Sequence, residues 1–514
     1  MWWGTVEIPA ACGSEHFILI GAPGSGKTTL LHLTLNSVLP YIRAGSNRRA
    51  VVYDPKREIY PALLGMGVAE DRIIIANPFD LRASGWNIAA DVTAPATALE
   101  IATILVPSKS EIQPFFPDAA RGLLGGVMES LLLVAPGVWT FRDVVLALRN
   151  ETRLKTILEL TESTKHLVGT YISGTDAHRD IKSTIENVMR RLSFIAAAWE
   201  HTASKFSLEQ WIKDESILLL GNTPALESTL QQLNNALLHR LSQLILTQPE
   251  ARESQVPPQH WIFIDELRRA GKLDYLPALM VEGRSKGACV FLAFQDLPGF
   301  SEVYGDKLAR EIIGSCRNKG YLKIVDLDTA KLASEYFGIH ELEIGRLSES
   351  WSTSTTKGQI TTQDGKSFAK SFHKRSLVSP SRFMWLPEAN PKNGIHGYFI
   401  TACINQPYHG FVKGDFINAH KVRPHPTEPG YVMRPTEHQY LSEWTADDLN
   451  RLGLQKFPDL LVTTETEPTA GENKQTDIPE NKNNKPKNKR SPKKSDDDDD
   501  DNGEAGLFEK MPRK

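Results

Sequence analysis

The sequence predicts an α/β fold, in which a mostly parallel sheet is interrupted by an all-helical insertion and followed by a disordered C-terminal tail. Short apolar runs rich in Val and Ile alternate with segments of helical periodicity, which is typical of parallel sheets covered by helices. Helical periodicity dominates between about residues 92 and 206, where strand-like runs are scarce. After about residue 464, a lysine-rich block and then an aspartate run replace the apolar residues, and such a composition does not support a folded core.

Apolar runs with the length and composition of buried strands define the sheet. They cover residues 16–21, 49–54, 71–77, 215–222, 260–267, 288–295, 320–326 and 397–405. The helical insertion separates the third run from the fourth. The predicted organisation is a sheet domain in two parts, 1–91 and 207–425, around an insertion at 92–206, with a C-terminal extension at 426–463 and a charged tail at 464–514.

Composition limits the class of protein. The chain has 514 residues and a formal net charge of −3, so its overall charge does not indicate nucleic-acid binding, although a channel needs only a local basic lining. No run approaches the roughly 18 apolar residues of a membrane helix, and the first residues lack the basic and apolar regions of a signal peptide. The sequence predicts a cytoplasmic protein without a membrane span.

The cysteines give no sign of a metal site or a disulfide. Cys12, Cys289, Cys316 and Cys403 are scattered along the chain with neither metal-binding spacing nor a paired pattern. The sequence therefore predicts reduced thiols that pack as small apolar side chains.

A phosphate-binding loop follows the first predicted strand. The segment GAPGSGKT, residues 21–28, matches G-x-x-x-x-G-K-[ST] after a strand and before a helix, which is the context the motif requires. Backbone N–H groups can close around phosphate oxygens there, while Lys27 is predicted to reach the β- and γ-phosphates and Thr28 to bind Mg²⁺. A chance glycine turn, the alternative, does not account for the complete motif in this context. The predicted ATP-binding residues are Gly21, Ala22, Pro23, Gly24, Ser25, Gly26, Lys27, Thr28 and Thr29.

Two adjacent carboxylates end a later strand, in the segment WIFIDEL. Ligands of open α/β sheets bind at the carboxyl edge of the strands, where Asp265 and Glu266 are predicted to lie. Asp265 is predicted to hold Mg²⁺, usually through water, and Glu266 to orient and deprotonate the attacking water. An ordinary strand-end acidic pair is the alternative, but the phosphate loop upstream favours catalysis. The second acid favours a hydrolase over a kinase or a small switch GTPase.

Two further side chains are catalytic candidates. Gln295 ends the next strand, where a polar side chain can contact both the γ-phosphate and the attacking water; the alternative is a strand-end glutamine satisfied by its neighbours. Arg284 lies in the basic turn GRSKG and is predicted either to reach a neighbouring subunit's nucleotide as an arginine finger or to be a surface or DNA-facing cation. The sequence assigns no DNA-contacting residue: 352–375 is predicted to be a flexible surface excursion, with a DNA clamp as the alternative, and Trp86 a packed tryptophan in a structural turn.

Taken together, these residues resemble the type IV secretion coupling proteins, the TraD/TraG-like conjugative DNA translocases of the FtsK–HerA superfamily. The segment NPFDLRASGWN, residues 77–87, is the most specific match to the family pattern. The segment VVYDPKREIY, residues 51–60, is similar to a D-P-K-G-E segment of the family, although Arg57 replaces the usual glycine. The resemblance covers roughly residues 7–410, including the helical insertion.

The resemblance implies a RecA-like P-loop NTPase that forms a homo-hexameric ring, with ATP sites between subunits and DNA in a central channel. It also implies that the all-alpha insertion selects relaxase-bound DNA for type IV secretion ATPases or channel components. Members usually begin with membrane helices ahead of the nucleotide-binding domain, and this sequence contains none. The expected location is therefore the cytoplasm, with a peripheral position at the inner membrane as the further possibility.

The predicted function is an ATP-hydrolysing DNA translocase, or coupling protein, that delivers relaxase-bound DNA, single- or double-stranded, to a type IV secretion apparatus. One alternative is a secretion or pilus-assembly ATPase that moves protein, and its ATPase activity would be indifferent to DNA. The other alternative is a nucleotide-binding relaxosome adaptor that does not work as an enzyme. The presence of Lys27, Asp265 and Glu266 argues against an adaptor, which could lose them freely.

Overall fold

The computed structural model describes residues 1–107, 115–172, 178–250, 258–356, 359–404 and 406–461. The predicted charged tail, residues 464–514, lies outside the described residues. The body that ends at Thr463 forms one compact unit. Its strands are β1 (Trp2–Trp3), β2 (Val6–Glu7), β3 (Phe17–Ile20), β4 (Arg48–Asp54), β5 (Ile73–Ile75), β6 (Gly85–Trp86), β7 (Lys205–Phe206), β8 (Ile217–Gly221), β9 (Gln259–Ile264), β10 (Ala288–Phe294), β11 (Asn318–Tyr321), β12 (Ile339–Thr356), β13 (Gln359–Ser376), β14 (Ile395–Ile400) and β15 (Tyr408–Val412).

The central sheet of the described chain has nine strands in the order β15-β14-β11-β3-β10-β9-β4-β8-β5. The seven strands from β11 to β5 run parallel, and β14 and β15 extend the sheet antiparallel at one edge. Every predicted strand is present with shifted bounds, so the mostly parallel sheet is confirmed. The edge strand β15 was not predicted, because its sequence, YHGFV, has only a short and interrupted apolar pattern.

Helices cover both faces of the sheet. Alternate residues of β3 point to opposite faces, so Ile18 and Ile20 join one core while Phe17 and Leu19 join the other. Both faces are covered because parallel strands are joined by crossover helices. The helices are α1 (Lys27–Asn36), α2 (Ile59–Gly65), α3 (Ile88–Asp91), α4 (Pro95–Leu105), α5 (Phe115–Val134), α6 (Phe141–Arg149), α7 (Glu151–Glu159), α8 (His178–Glu200), α9 (Leu208–Trp211), α10 (Glu227–Leu246), α11 (Leu267–Ala270), α12 (Leu276–Glu282), α13 (Leu297–Tyr304), α14 (Asp306–Ser315), α15 (Leu327–Phe337), α16 (Pro380–Met384), α17 (Gly414–His420) and α18 (Ala446–Arg451).

The helical segment from α4 to α8 is attached through a short neck. The chain enters along β6 and leaves along β7, and these strands pair with one another in parallel. Trp86 in the neck is buried and its Nε1 donates to Asp91 Oδ2 at 2.5 Å, while Asp91 also accepts from the backbone N–H of Leu208 at 2.8 Å. Trp86 is therefore a packed structural residue, as predicted.

The polar stretch 352–375 differs in form from the sequence prediction. Strands β12 and β13 pair with one another along a long antiparallel hairpin that is separate from the central sheet. Cross-strand ion pairs join Lys366 to Glu349 at 3.0 Å and Lys370 to Glu343 at 2.6 Å. The sequence has few apolar residues to mark such strands, and the local cross-strand pairs that form the hairpin are not visible from periodicity alone.

The prediction that all four cysteines are reduced is wrong for one pair. Cys12 and Cys403 form a disulfide across 391 residues of sequence, with their Cα atoms 7.0 Å apart. No spacing in the sequence could reveal a pair that only the folded sheet brings together. Cys289 and Cys316 are free and buried, and burial raises the pKa of the Cys316 thiol to about 12.

The length and apolar character of the described helices show whether any of them could cross a membrane. Within the described ranges, none of them combines the length and the apolar character that crossing a bilayer requires.

A candidate nucleotide site at the carboxyl edge of the sheet

The predicted phosphate loop connects β3 to α1 at the carboxyl edge of the parallel strands. Gly24 has φ +75° and Gly26 φ +96°, a left-handed region that favours glycine. The Ala22 N–H donates to the carbonyl of Lys323 at 2.8 Å, and the Gly24 carbonyl accepts from the Ala389 N–H at 3.1 Å. The loop is therefore fixed on both sides before any ligand binds.

Two buried polar groups in the loop fit an anion. Lys27 is 9% exposed, and its ammonium donates to the carbonyl of Gly21. Burial lowers the pKa of Lys27, although Glu266 and Asp265 oppose this change. Ser25 Oγ is buried without a hydrogen-bond partner in the described part of the chain, which costs about 1–3 kcal/mol. A bound phosphate would relieve both groups, because it supplies negative charge and hydrogen-bond acceptors.

The predicted acidic pair lies beside this loop at the end of β9. Glu266 has φ +67°, an uncommon backbone conformation for a residue with a side chain and one that clusters at functional sites. The Gln295 amide donates to both carboxylate oxygens of Glu266, at 3.3 and 3.1 Å. The structure thus places the two side chains in direct contact, at the ends of neighbouring strands.

Lys56 is a basic partner of this edge that the sequence analysis did not assign. Its Nζ lies 3.9 Å from Asp265 Oδ2, and burial raises the pKa of Asp265 while Lys56 opposes that rise. Lys56 lies in the DPKRE turn, which is held by Asp54 Oδ2 accepting from the Ile59 N–H at 2.8 Å. The sequence match to the family segment marked the turn but gave no role to its lysine.

Arg57 has a backbone conformation that favours glycine, which is the residue expected at this position of the family segment. Its φ is +61°, and a left-handed conformation costs a residue with a Cβ roughly 1–2 kcal/mol. The Arg57 guanidinium lies over the ring of Tyr431, 4.4 Å from its centroid, and such a contact contributes about 0.5–1 kcal/mol. The departure from the family pattern is therefore partly offset by a contact that glycine could not make.

These groups surround one cavity of about 1230 Å³. Lys56, Asp265, Glu266 and Gln295 line it together with the phosphate loop, of which only Gly21 and Ser25 are not in the lining. Further lining residues that the sequence analysis did not assign are Gln231, Arg268, Arg269, Glu227, Ser228 and the turn at Pro224. Arg268 and Arg269 follow the acidic pair after one intervening residue and could have been noted, whereas residues of α10 are brought in only by the fold.

Arg284 lies elsewhere in the subunit. It precedes β10, so it is at the amino edge of the strands, whereas the phosphate loop is at the carboxyl edge. Its guanidinium donates to Glu15, which also accepts from Arg317 at 2.9 Å. Arg284 is not among the described residues that line the cavity of its own chain. Its role as an arginine finger stays a prediction, and only a neighbouring subunit could use it.

The residues present fit Mg²⁺ bound together with a nucleotide. Among the described residues, no three His, Cys, Asp or Glu side chains converge as a metal cage. Mg²⁺ in nucleotide sites needs few protein ligands, because phosphates and water supply the others. Thr28 and Asp265 both line the cavity and provide the oxygen ligands that Mg²⁺ prefers.

The fold and the site define a P-loop nucleoside triphosphatase. Residues 1–399 match the family profile of the type IV secretion-system coupling protein DNA-binding domain, so the chain belongs to that family. Among solved structures, the bacterial conjugative coupling protein TrwBdeltaN70 in its unbound monoclinic form is 21% identical with a TM-score of 0.63, covering 84% of this chain and 91% of that one. Plasmid coupling protein TrwB in complex with ADP and Mg²⁺ is 21% identical with a TM-score of 0.61, covering 83% and 90%. A search of curated proteins finds no match.

These findings confirm the predicted family and fold class. The α/β architecture with its mostly parallel sheet is that of the TrwB structures, and the family is one of coupling proteins with a DNA-binding domain. The prediction of a type IV secretion coupling protein is confirmed at the level of the family. The individual roles of Lys27, Glu266, Gln295 and Arg284 stay predictions.

Proposed function

We propose that this chain hydrolyses ATP with Mg²⁺ and uses the energy to move DNA as a conjugative coupling protein. The observation that carries the proposal is the Glu266–Gln295 pair, held at 3.1 Å beside a complete phosphate loop in one cavity. A nucleotide-binding adaptor has no need of a carboxylate held in this way. Membership of a family defined by its DNA-binding domain supports DNA as the cargo, and the ADP–Mg²⁺ complex of TrwB supports the cofactors.

Hydrolysis follows from what each side chain can do. Glu266 accepts a proton from water as the water oxygen attacks the γ-phosphorus, and the bond from that phosphorus to the β–γ bridging oxygen breaks. Gln295, hydrogen-bonded to both carboxylate oxygens, fixes the direction of Glu266. The Lys27 ammonium stabilises the negative charge that develops on the phosphates. Bound Mg²⁺, held through Thr28 and Asp265, supplies further charge neutralisation.

Gln295 also connects the nucleotide site to helices α13 and α15. It is followed by α13, whose first turn is fixed by Asp296 Oδ1 accepting from the Gly299 N–H at 2.8 Å. The Leu297 N–H donates to Thr329 Oγ1 at 2.8 Å, which joins α13 to α15. We propose that a shift of Gln295 on hydrolysis displaces these helices, which then move the DNA.

The proposed assembly is a homo-hexameric ring at the cytoplasmic side of the membrane. In it, the all-alpha insertion would receive the relaxase with its DNA and pass both to type IV secretion ATPases or channel components. The position of Arg284 supports the ring, because at the amino edge of the strands its exposed side chain can serve only a neighbour's nucleotide.

Subunit mixing tests the proposed role of Arg284. Arg284→Ala and Glu266→Gln subunits are each expected to be poorly active alone, because each lacks one half of a shared site. Mixed in equal amounts, they are expected to recover part of the ATPase activity, since some interfaces then carry both native residues. The measurement is steady-state ATPase rate, with co-purification of two tags showing that the subunits mix. Mixed rings without recovery would leave Arg284 as a partner of Glu15 only.

The proposed function as a whole is tested by ATPase rate across a protein titration, with and without DNA. We expect a specific activity that rises with protein concentration, since sites shared between subunits form on assembly, and that DNA raises further at low salt. A constant rate that is blind to DNA would instead favour a protein-moving secretion ATPase. The absence of turnover with intact nucleotide binding would favour an adaptor.

A further inference from the structure

The hairpin of β12 and β13, which is separate from the central sheet, has one strongly apolar side. Successive side chains of a strand point to opposite faces, and residues directly opposite one another across the two strands share a face. The register places Leu347 opposite Phe368. The same face carries five large apolar side chains, each 62–74% exposed, and we call it the apolar face: Ile339, Leu347, Trp351, Phe368 and Phe372.

The opposite face of the hairpin is mostly polar. Among its described side chains, Leu342 is the one large apolar residue, and it is 38% exposed. Small hydroxyl side chains lie near the middle of that face: Ser348, Ser350 and Ser367. Single exposed apolar side chains are normal on a protein surface, whereas several collected on one side of an element mark a contact site.

A partner is needed to make the apolar face stabilising. A two-stranded hairpin is at best marginally stable in water, and further strands or a covering element normally bury its hydrophobic side. Within the described ranges of the chain, the five side chains of the apolar face stay largely exposed. Because burying one such side chain contributes about 1.5–3 kcal/mol, a molecule that covers this face would gain affinity and also stabilise the hairpin.

The charges of the same face indicate which kind of partner it fits. The three lysines among its described side chains are each paired with a glutamate across the strands: Lys366 with Glu349 at 3.0 Å, Lys370 with Glu343 at 2.6 Å and Lys374 with Glu341 at 3.6 Å. Nucleic acid and anionic lipid attract cations that are free to neutralise phosphate, and these lysines are already neutralised. A face with equal numbers of both charges is instead complementary to another copy of itself.

We propose that the apolar face packs against the apolar face of a second copy of this chain, so that two hairpins form a four-stranded sandwich. Sheets stack about 10 Å apart, a distance at which side chains such as Leu347 and Phe368 of the two copies interdigitate. The lysine–glutamate pairs of one copy then lie close to those of the other, and each sign meets its opposite.

The size of the contact indicates its place in an assembly. From Ile339 to Trp351 the face is about 40 Å long and about 10 Å wide, so each copy buries roughly 400 Å². A stable complex buries about 800 Å² per partner, so the hairpins add to other contacts between the same subunits. The inference deepens the ring of the proposed function and rests on it in that respect, but it requires neither ATP nor DNA.

The first test removes one apolar side chain from each face of the hairpin. In Leu347→Ser, the protein concentration at which half of the chains are assembled should rise by at least about 10-fold, because one buried side chain is lost from each copy. Leu342→Ser is the matched control on the opposite face and should stay within about 2-fold of wild type. Sedimentation velocity over a dilution series measures assembly. Unchanged assembly of Leu347→Ser would overturn the inference.

The second test uses cross-linking of introduced cysteines, and exposed positions are used so that folding is not disturbed. Leu347→Cys should be joined between copies by a short bis-maleimide, whereas Ser348→Cys, the next residue and exposed on the opposite face, should not. The native cysteines are buried or held in a disulfide, so they do not compete. Equal cross-linking of the two variants would contradict the inference.

The outcomes separate the hairpin contact from the ring. Assembly of wild type, together with an ATPase rate that rises with concentration but no preferred cross-link at Leu347→Cys, would leave the ring and exclude the hairpin contact. A preferred cross-link without that rise in ATPase rate would keep the contact and exclude the shared sites of the ring. Protection of Leu347→Cys from maleimide by a DNA duplex, or by phosphatidylglycerol–phosphatidylethanolamine vesicles, in place of protection by self-assembly would overturn the choice of partner.

Discussion

Replacing Lys27 with alanine is expected to weaken ADP and ATP binding by at least about 100-fold and to abolish turnover, since a charge-assisted contact to phosphate is lost from a buried site. Lys27 is the one loop residue whose charge is already desolvated before a ligand arrives. Its folded-state pKa is lowered, so the ammonium is less favourable in the folded chain than in the unfolded chain at neutral pH. A bound phosphate offsets the unfavourable burial of the ammonium, because its negative charge pairs with it. Binding of ADP and ATP is measured by calorimetry.

The same reasoning predicts an opposite effect on the unliganded protein. Because the buried ammonium is unfavourable without a ligand, Lys27→Ala alone should melt no lower than wild type, while added ADP raises the melting temperature of wild type only. Lys331→Ala is the control, since Lys331 is an exposed lysine on α15 paired with Asp328. Retained ADP binding in a folded Lys27→Ala protein would contradict the assignment of the phosphate loop.

Replacing Glu266 with glutamine is expected to leave ATP affinity within about 3-fold of wild type and to lower kcat by about 10²- to 10⁴-fold, which is the usual contribution of a general base. The amide keeps the size of the side chain and still contacts Gln295, but it cannot accept the proton of water. Steady-state and single-turnover ATPase assays measure the loss. Binding of ATP is measured separately.

Two comparisons separate this role from a general disturbance of the site. Glu162→Gln removes an exposed carboxylate that pairs with Lys165 at 2.6 Å outside the cavity, and it should retain wild-type turnover. Asp265→Asn should instead raise the Mg²⁺ concentration needed for activity, because it removes a proposed metal ligand. Full turnover by Glu266→Gln would remove Glu266 from the role of base and leave its contact with Gln295 structural.

The sheet and the phosphate loop could be predicted because their signals are local. The run Phe17–Ile20 is buried throughout, and the loop motif follows it without a gap, so strand, turn and helix are all marked within twenty residues. The contact between Glu266 and Gln295 could also be predicted, because each side chain follows a strand and the two strands are neighbours in a parallel sheet. The side chains that lie at the carboxyl ends of the strands can therefore be predicted from sequence.

Features that depend on distant segments could not be predicted. Cys403 meets Cys12 only because the sheet brings the turn after β14 next to the turn before β3. Lys56 belongs to a turn after β4, and its approach to Asp265 depends on β4 and β9 being adjacent. The β12–β13 hairpin arises from pairing between two polar strands, for which hydrophobic periodicity gives no signal.

Displacement of a third strand from a DNA triplex measures whether ATP hydrolysis moves DNA through this protein, as we propose. Wild-type protein with ATP and Mg²⁺ should displace the third strand, whereas Lys27→Ala and Glu266→Gln should not, although Glu266→Gln still binds ATP. Displacement should also fail with a non-hydrolysable ATP analogue. Rapid ATP hydrolysis by wild type without any displacement, or displacement by Glu266→Gln at the wild-type rate, would mean that hydrolysis does not drive DNA movement in this protein.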